Sequence, residues 1–137
     1  MPVITHFTIE DLRFPTSLSG DGTDATNTSC DYSAAYVSLF SDSPSGLKGH
    51  GMTFTIGRGN DLVCAAIAQV AQRLIGKETD ALFGDMGAMW GQLCGDPQLR
   101  WLGPEKGVVS LATGAVVNAV WDSESKEWLT DGREGGD

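Results

Sequence analysis

The period of the apolar residues changes once along this chain, near Asn60, and this change restricts the fold more than any other feature. Before it, residues 3–12 alternate between apolar and polar in the manner of a half-buried strand. One face of that strand is predicted to carry Val3, Thr5, Phe7 and Ile9. Residues 34–40 and 47–55 favour two more strands, because turn residues at 41–46 separate two extended patterns. The first half therefore predicts a three-stranded, antiparallel sheet.

After Asn60 the apolar residues recur every three to four positions, which predicts helices. The first helix is expected to take Asn60 as its N-cap and Gly76 as its C′ glycine. A second helix covers residues 82–93 behind a Thr79 cap, and a third covers residues 105–122. Three strands followed by about three helices indicate an α+β domain, with a helical bundle against one face of the sheet and no barrel.

The length and charge of the chain exclude several classes of protein. A chain of 137 residues makes one domain and is too short for an eight-stranded α/β barrel, which needs roughly 250 residues. Its formal charge of −9 is the wrong sign for binding nucleic acid or an anionic membrane. Three cysteines without a C-x-x-C pair fit a reducing compartment, and the N-terminal residues lack a secretion signal. We therefore expect a cytoplasmic protein with neither nucleic acid nor membrane as partner.

A long polar loop follows the first strand. Residues 20–25 match G-x-G-x-x-A, but no helical pattern follows, and two carboxylates inside the motif would repel a pyrophosphate. These features disfavour a dinucleotide site, whereas a substrate-contacting loop and a plain surface loop both remain open. His6 and His50 fit no metal-ligand spacing and are expected to be exposed strand residues. The chain contains no recognisable nucleophile, base or metal cage of its own.

Residues 99–107 place a large aromatic residue, two cations and an acid just before the last predicted helix. One interpretation is helix-start chemistry, with Pro104 at the first position, Glu105 favouring the helix dipole and Trp101 packed as a staple. The other is an interface in which Trp101 and Arg100 are the anchors. The sequence leaves both open.

Several sequence blocks at consistent spacing resemble the N-terminal part of L-fuconate dehydratases, which are sugar-acid dehydratases of the enolase superfamily, of the mandelate racemase/muconate lactonizing type. The resemblance covers about residues 3–122 in collinear order. The blocks are Arg13–Ser17, Gly22–Ala25, Asp31–Val37, Thr53–Thr55 with Gly57 and Gly59, Leu99–Val109, Leu111–Thr113 and Asn118–Asp122.

The resemblance implies an N-terminal capping domain whose loops, here residues 13–32 and 56–60, close over a separate catalytic barrel and select the substrate. In that family the barrel binds Mg²⁺ through three carboxylates and carries a lysine and a His–Asp pair as acid and base. The reaction converts a sugar acid to its 2-keto-3-deoxy acid. Carried over by position, the substrate-binding residues are Gly22, Thr23, Asp24 and Tyr32, with Thr23 acting through its backbone. This chain itself is expected to hold no catalytic residue, metal or cofactor.

The resemblance ends at Asp122, where the family helix would continue towards the barrel. We predict a capping domain at residues 1–122 and a disordered tail, foreign to the family, at residues 123–137. On this interpretation the chain is a truncated or alternatively spliced product, or a gene-model fragment, and is inactive alone. The alternative is a non-catalytic binding or regulatory module that associates with a full-length relative or a second copy. A mitochondrial location stays open through the family.

Overall fold

The computed structural model describes residues 2–26, 28, 30–103 and 105–130. Strands β1 (Ile4–Arg13), β2 (Ser33–Ser41) and β3 (Lys48–Thr55) form one antiparallel sheet in the order β1-β2-β3. The helices that follow are α1 (Asn60–Gln72), α2 (Thr79–Gly84), α3 (Met86–Cys94) and α4 (Val108–Thr130). Short 3₁₀ turns lie at Thr16–Leu18 and Arg100–Leu102. The predicted α+β class is confirmed, and the described residues form no closed barrel.

The predicted inward face of β1 is wrong at its beginning. The register between β1 and β2 shifts between Ile4 and His6, and such an irregularity reverses the side to which side chains point. Ile4 is therefore buried and Thr5 exposed, whereas Phe7 and Ile9 pack against the core as predicted.

The core lies between one face of the sheet and the helices. Ala35, Val37 and Leu39 of the central strand are buried against it. The helical side of the core includes Ile67, Val70, Ala112, Val116 and Val120. The periodic apolar residues of the predicted helices at 82–93 and 105–122 include Trp90 and Leu111, but these two lie on the exposed side of their helices.

Helix α4 lies directly on the backbone of β3. A Cβ added at Gly51 would lie 2.0 Å from the carbonyl oxygen of Ala115, and one at Gly49 would lie 1.9 Å from that of Ala119. Only glycine leaves room for this approach, because the atoms opposite are helix backbone rather than movable side chains. These two glycines therefore set the distance between the sheet and its main covering helix.

The predicted capping residues of α1 and α2 are wrong. The N-cap of α1 is Gly59, whose φ of 92° is in the left-handed region that favours glycine. Asn60 is the first residue inside the helix, and its side chain turns to the sheet. Gly76 has a positive φ but lies three residues beyond the C-cap at Arg73. The N-cap of α2 is Glu78, which has extended backbone angles, and Thr79 is the first residue inside the helix.

The apolar stripe at residues 82–93 is divided between two helices rather than one. Asp85 interrupts it with φ −147° and ψ 78°, which are not helical angles. Its carboxylate accepts a hydrogen bond from the backbone N–H of Ala88 at 2.9 Å and so caps α3. The interruption is therefore a helix start of its own.

Helix α4 begins at Val108 instead of residue 105, after Gly107 with a φ of 85°. Pro104, the predicted first residue, lies outside the described residues. Trp101 is 80% exposed and so does not pack as a staple against the helix. The interface interpretation of Trp101 and Arg100 stays a prediction.

Helix α4 also continues past Asp122 to Thr130, so residues 123–130 are helical rather than disordered. The Lys126 ammonium bonds to the Asp122 carboxylate at 2.6 Å and to the Lys48 carbonyl at 3.2 Å. Asp122 in turn accepts the backbone N–H of His50 at 2.8 Å. The helix end is thus tied to the free edge of β3. Residues 131–137 lie outside the described residues, and the domain boundary at residue 122 stays a prediction.

Candidate functional site

The two loops that the resemblance singles out, residues 13–32 and 56–60, meet at one end of the sheet. The N–H of Phe14 bonds to the Tyr32 carbonyl at 3.0 Å, which closes the base of the first loop. The N–H of Asp31 bonds to the Ile56 carbonyl at 3.0 Å, which joins the first loop to the second. Between them lies an open cleft of about 320 Å³, lined by Arg13, Phe14, Pro15, Asp31, Ile56, Gly57 and Arg58.

Arg13 spans the floor of this cleft. Its Nε and Nη2 bind both carboxylate oxygens of Asp11 at 3.0 and 2.9 Å, and its Nη1 donates to the Gly57 carbonyl at 3.1 Å. The hydrogen bond from Arg13, then that from Asn60, lowers the pKa of Asp11, and the same pairing raises the pKa of Arg13. Both groups therefore stay charged around neutral pH.

Asn60 anchors the second loop from inside the domain. Its side chain is fully buried and donates to the Asp11 carboxylate at 2.6 Å and to the Ala34 carbonyl at 3.2 Å. Its amide oxygen accepts the Thr55 hydroxyl at 3.0 Å. Asn60 thus joins the end of β3 to both other strands, which explains why it does not serve as a helix cap.

Asp31 holds the beginning of the first loop. Its carboxylate accepts the backbone N–H of Ser17 at 3.0 Å, within the first 3₁₀ turn. Hydrogen bonds from the hydroxyl and then the N–H of Ser17, with a smaller contribution from the charge of Arg13, lower the pKa of Asp31. This carboxylate and two arginines, Arg13 and Arg58, line the same cleft.

Of the predicted substrate-binding residues, Tyr32 and Gly22 contact each other. The Tyr32 hydroxyl donates to the Gly22 carbonyl at 3.1 Å. Gly22 has a φ of 72°, and a Cβ there would lie 2.1 Å from the Tyr32 ring. The ring centroid of Tyr32 is 6.5 Å from that of Phe54 on β3. Tyr32 therefore holds the tip of the first loop down on the sheet.

Thr23 and Asp24 also bond within the loop. The Thr23 hydroxyl donates to the Gly20 carbonyl at 2.7 Å, and the Asp24 carboxylate accepts the N–H of Thr26 at 2.9 Å. Neither residue lines the cleft, nor do Gly22 and Tyr32. The cleft residues come from the same two loops, but the sequence did not single out Arg13, Asp31 or Arg58 individually. Arg13 and Asp31 are charged residues that bracket the polar segment, and this was the signal available.

Arg58 is the exposed cation of the second loop. Within the described residues its guanidinium has no hydrogen-bond partner or ion pair, in contrast to that of Arg13. An exposed guanidinium in an open cleft can bind a carboxylate or donate to hydroxyl groups.

The two histidines lie on the sheet, away from this cleft. His6 is exposed and stacks on Phe40 at a centroid distance of 4.4 Å. His50 is half-buried rather than exposed, because its Nδ1 lies 2.8 Å from the Ser38 hydroxyl and its ring stacks on Tyr36. Across the described ranges, no three His, Cys, Asp or Glu side chains form a group that could hold a metal ion. The part of the chain that the structure describes therefore offers no carboxylate set that fits a magnesium site.

None of the described helices is both long enough and apolar enough to cross a membrane.

In sequence and fold the chain matches the N-terminal region of enolase-superfamily proteins. The crystal structure of human mitochondrial enolase superfamily member 1 is 45% identical with a TM-score of 0.88, over 97% of this chain and 31% of that chain. L-galactonate dehydratase of Hypocrea jecorina is 61% identical over 123 residues, which are 90% of this chain and 27% of that protein. Mitochondrial enolase superfamily member 1 of Bos taurus is 51% identical over 124 residues, 90% of this chain and 28% of that protein.

The chain therefore spans little more than a quarter of the length of these curated relatives. A more distant structure shows the same fold at 21% identity and a TM-score of 0.64, over 93% of this chain and 30% of that chain. It is L-talarate dehydratase from Polaromonas sp. JS666, complexed with Mg and L-glucarate. No family model matches the chain.

Proposed function

We propose that this chain is the capping domain of a sugar-acid dehydratase and selects the substrate through its two loops. The supporting observation is that both loops meet at one cleft, in a fold that matches the N-terminal region of relatives such as L-galactonate dehydratase. The substrate would be L-fuconate or a related sugar acid. The net reaction removes water from the hydroxy acid and leaves a 2-keto-3-deoxy acid.

The chemical step would take place in a barrel domain, which would also supply the Mg²⁺ site. The residues of the present chain would bind the sugar and exclude water from the site. The side chains of Thr23 and Asp24 are engaged within the loop, so backbone groups at its tip remain for the sugar hydroxyls. Arg58 supplies a cation that suits an anionic or hydroxyl-rich ligand.

Two assays test this proposal. The purified chain is incubated with Mg²⁺ and L-fuconate, L-galactonate or L-glucarate, and formation of the 2-keto-3-deoxy acid is measured. It is then fused in place of the N-terminal region of Hypocrea jecorina L-galactonate dehydratase and assayed on the same acids. We expect no turnover by the chain alone and turnover by the fusion. Turnover by the chain alone, or an inactive but folded fusion, would contradict the proposal.

A matched pair of variants in the fusion tests the loop assignment. Asp24→Asn and Asp80→Asn each remove one negative charge, but Asp80 is an exposed residue of α2, beyond the opposite end of the sheet. A neutral amide accepts the Thr26 N–H more weakly than a carboxylate does, so Asp24→Asn should shift the backbone of the loop tip and change the relative kcat/KM values among the three acids. Asp80→Asn should leave these values unchanged. If the two variants change the relative kcat/KM values equally, Asp24 is not part of the substrate-binding site.

A second candidate function is a non-catalytic module that binds a full-length relative or a second copy of the chain. The observation in its favour is exposed apolar surface outside the loops, with Trp101 at 80% and Leu129 at 83% exposure. Size-exclusion chromatography of the chain, alone and with the full-length dehydratase, tests it. A monomer that does not co-elute with the dehydratase would contradict this alternative.

The compartment stays a proposal as well. The sequence predicts a cytoplasmic location, whereas the names of similar proteins include the word mitochondrial. Expression of a fluorescent fusion would distinguish the two locations.

A further inference from the structure

A continuous series of hydrogen bonds runs beneath the cleft and joins the interior of the domain to both loops. It begins at buried Asn60, which donates to Asp11 at 2.6 Å. Asp11 accepts two hydrogen bonds from Arg13, and Arg13 donates to the carbonyl of Gly57 at 3.1 Å. The N–H of Gly57 also bonds to the Thr55 hydroxyl at 3.2 Å, so the second loop is held at both polar groups of this residue.

The series continues from the second loop into the first. The Ile56 carbonyl accepts the N–H of Asp31 at 3.0 Å, and the Asp31 carboxylate accepts the N–H of Ser17 at 3.0 Å. The loops are also in steric contact, because a Cβ at Gly57 would lie 2.9 Å from the Asp31 carbonyl oxygen. A shift of one loop therefore disturbs bonds that the other needs.

Arg13 is the side chain that bridges the strand end and the second loop. One edge of its guanidinium binds a carboxylate through two nitrogens, and a third nitrogen reaches the carbonyl of Gly57. A lysine ammonium is a point charge and cannot make this planar set of bonds in two directions. Substitution by lysine should therefore keep the charge while breaking the bridge.

We propose that Arg13 is a positioning residue that holds the two loops together as one ligand-facing unit. The proposal rests on the proposed function of the loops and extends it. It assigns substrate selection to both loops jointly, with Arg13 acting through Gly57 and Asp31 rather than on the substrate.

Amide hydrogen exchange of the full 137-residue chain, measured at single amides by NMR, tests the coupling without any catalysis. In Arg13→Lys we expect the amides of Gly57, Asp31 and Ser17 to exchange roughly three to ten times faster, as loss of partly exposed charged hydrogen bonds predicts. The control is Arg73→Lys, because Arg73 donates to the Gln92 carbonyl at 2.6 Å and pairs with Asp96, away from the loops. This control should leave the three loop amides unchanged.

A second variant tests the series from its other end. Asp31→Ala removes the acceptor of Ser17 and leaves the hydrogen-bond partners of Arg13 in place, and we expect faster exchange at Gly57 in the second loop. If Arg13→Lys accelerates Gly57 alone, or Asp31→Ala leaves Gly57 unchanged, the loops are independent and the proposal is wrong. Equal acceleration in Arg13→Lys and Arg73→Lys would show general destabilisation and also overturn it.

The kinetics of the fusion enzyme give a readout that a purely structural role would not move. Loosened loops weaken binding of substrate and transition state alike, so Arg13→Lys should raise KM severalfold with kcat nearly unchanged. A fall in kcat with KM unchanged would contradict this role. If the fusion is inactive while the exchange results hold, the proposed function fails and the coupling stands.

Discussion

Substitution of Gly51 by alanine should destabilise the domain strongly. The added Cβ would lie 2.0 Å from the carbonyl oxygen of Ala115 and 2.7 Å from the amide nitrogen of Ala119. Unstrained contacts need about 3.5 Å, so α4 would have to move away from β3 by more than about 1 Å. Overpacking usually costs about 1–3 kcal/mol. Because the obstructing atoms are backbone and α4 forms much of the core, we expect at least about 3 kcal/mol, against a typical total of about 5–15 kcal/mol.

Urea unfolding followed by circular dichroism and tryptophan fluorescence measures this loss. The matched control is Gly114→Ala, on helix α4 itself. An added Cβ at Gly114 has no heavy atom within 4 Å apart from the helix's own backbone and its chain neighbours. That control should be unchanged or more stable by up to about 1 kcal/mol, because alanine favours helix. A Gly51→Ala variant within about 0.5 kcal/mol of the parent would refute the close approach of α4, and so would equal losses in the two variants.

Three further changes have definite expected results. Asn60→Ala should lower the free energy of unfolding in urea by about 2–4 kcal/mol, since it leaves buried polar groups without partners. Asp85→Ala should cost about 1 kcal/mol and some helical circular dichroism, through loss of the α3 cap. Partial burial alone would raise the pKa of Asp122. Hydrogen bonds from Lys126 and from the His50 N–H together outweigh this effect, so the pKa of Asp122 lies below its ordinary value of 3.8. Its contribution, about 0.5–1 kcal/mol after allowance for exposure, is therefore complete near pH 5 and lost as pH falls through the lowered pKa. Urea titrations from pH 6 to pH 2 measure the free energy of unfolding. In Asp122→Asn this free energy should fall less with decreasing pH than in the parent, because the variant has no carboxylate to protonate at this position.

The order of strands and helices could be predicted because it depends on the period of apolar residues, which is local information. The capping residues could not, and Asn60 shows why. An asparagine before an apolar stripe is a good N-cap, but its side chain finds partners in Asp11 and Ala34, which are 49 and 26 residues away. Burial with several hydrogen bonds outweighs one cap, and nothing in the local sequence reveals those partners. The helix start at Asp85 had a local signal, since glycine at position 84 favours a helix end and aspartate is a favoured N-cap residue.

The candidate site shows the same limit at the level of function. The family resemblance assigns substrate binding mainly to the tip of the first loop, at Gly22, Thr23 and Asp24. The side chains of Thr23, Asp24 and Tyr32 bond to backbone groups of their own loop, whereas Arg13 and Asp31 at the loop bases bond to the second loop. A base residue controls where every atom of its loop lies, so a small change there moves all the ligand contacts at once. In an enzyme that carries this domain, Arg13→Lys should therefore alter the ranking of sugar acids at least as much as Asp24→Asn. If Arg13→Lys changes the ranking of sugar acids less than Asp24→Asn does, the loop tip rather than the loop base determines substrate specificity.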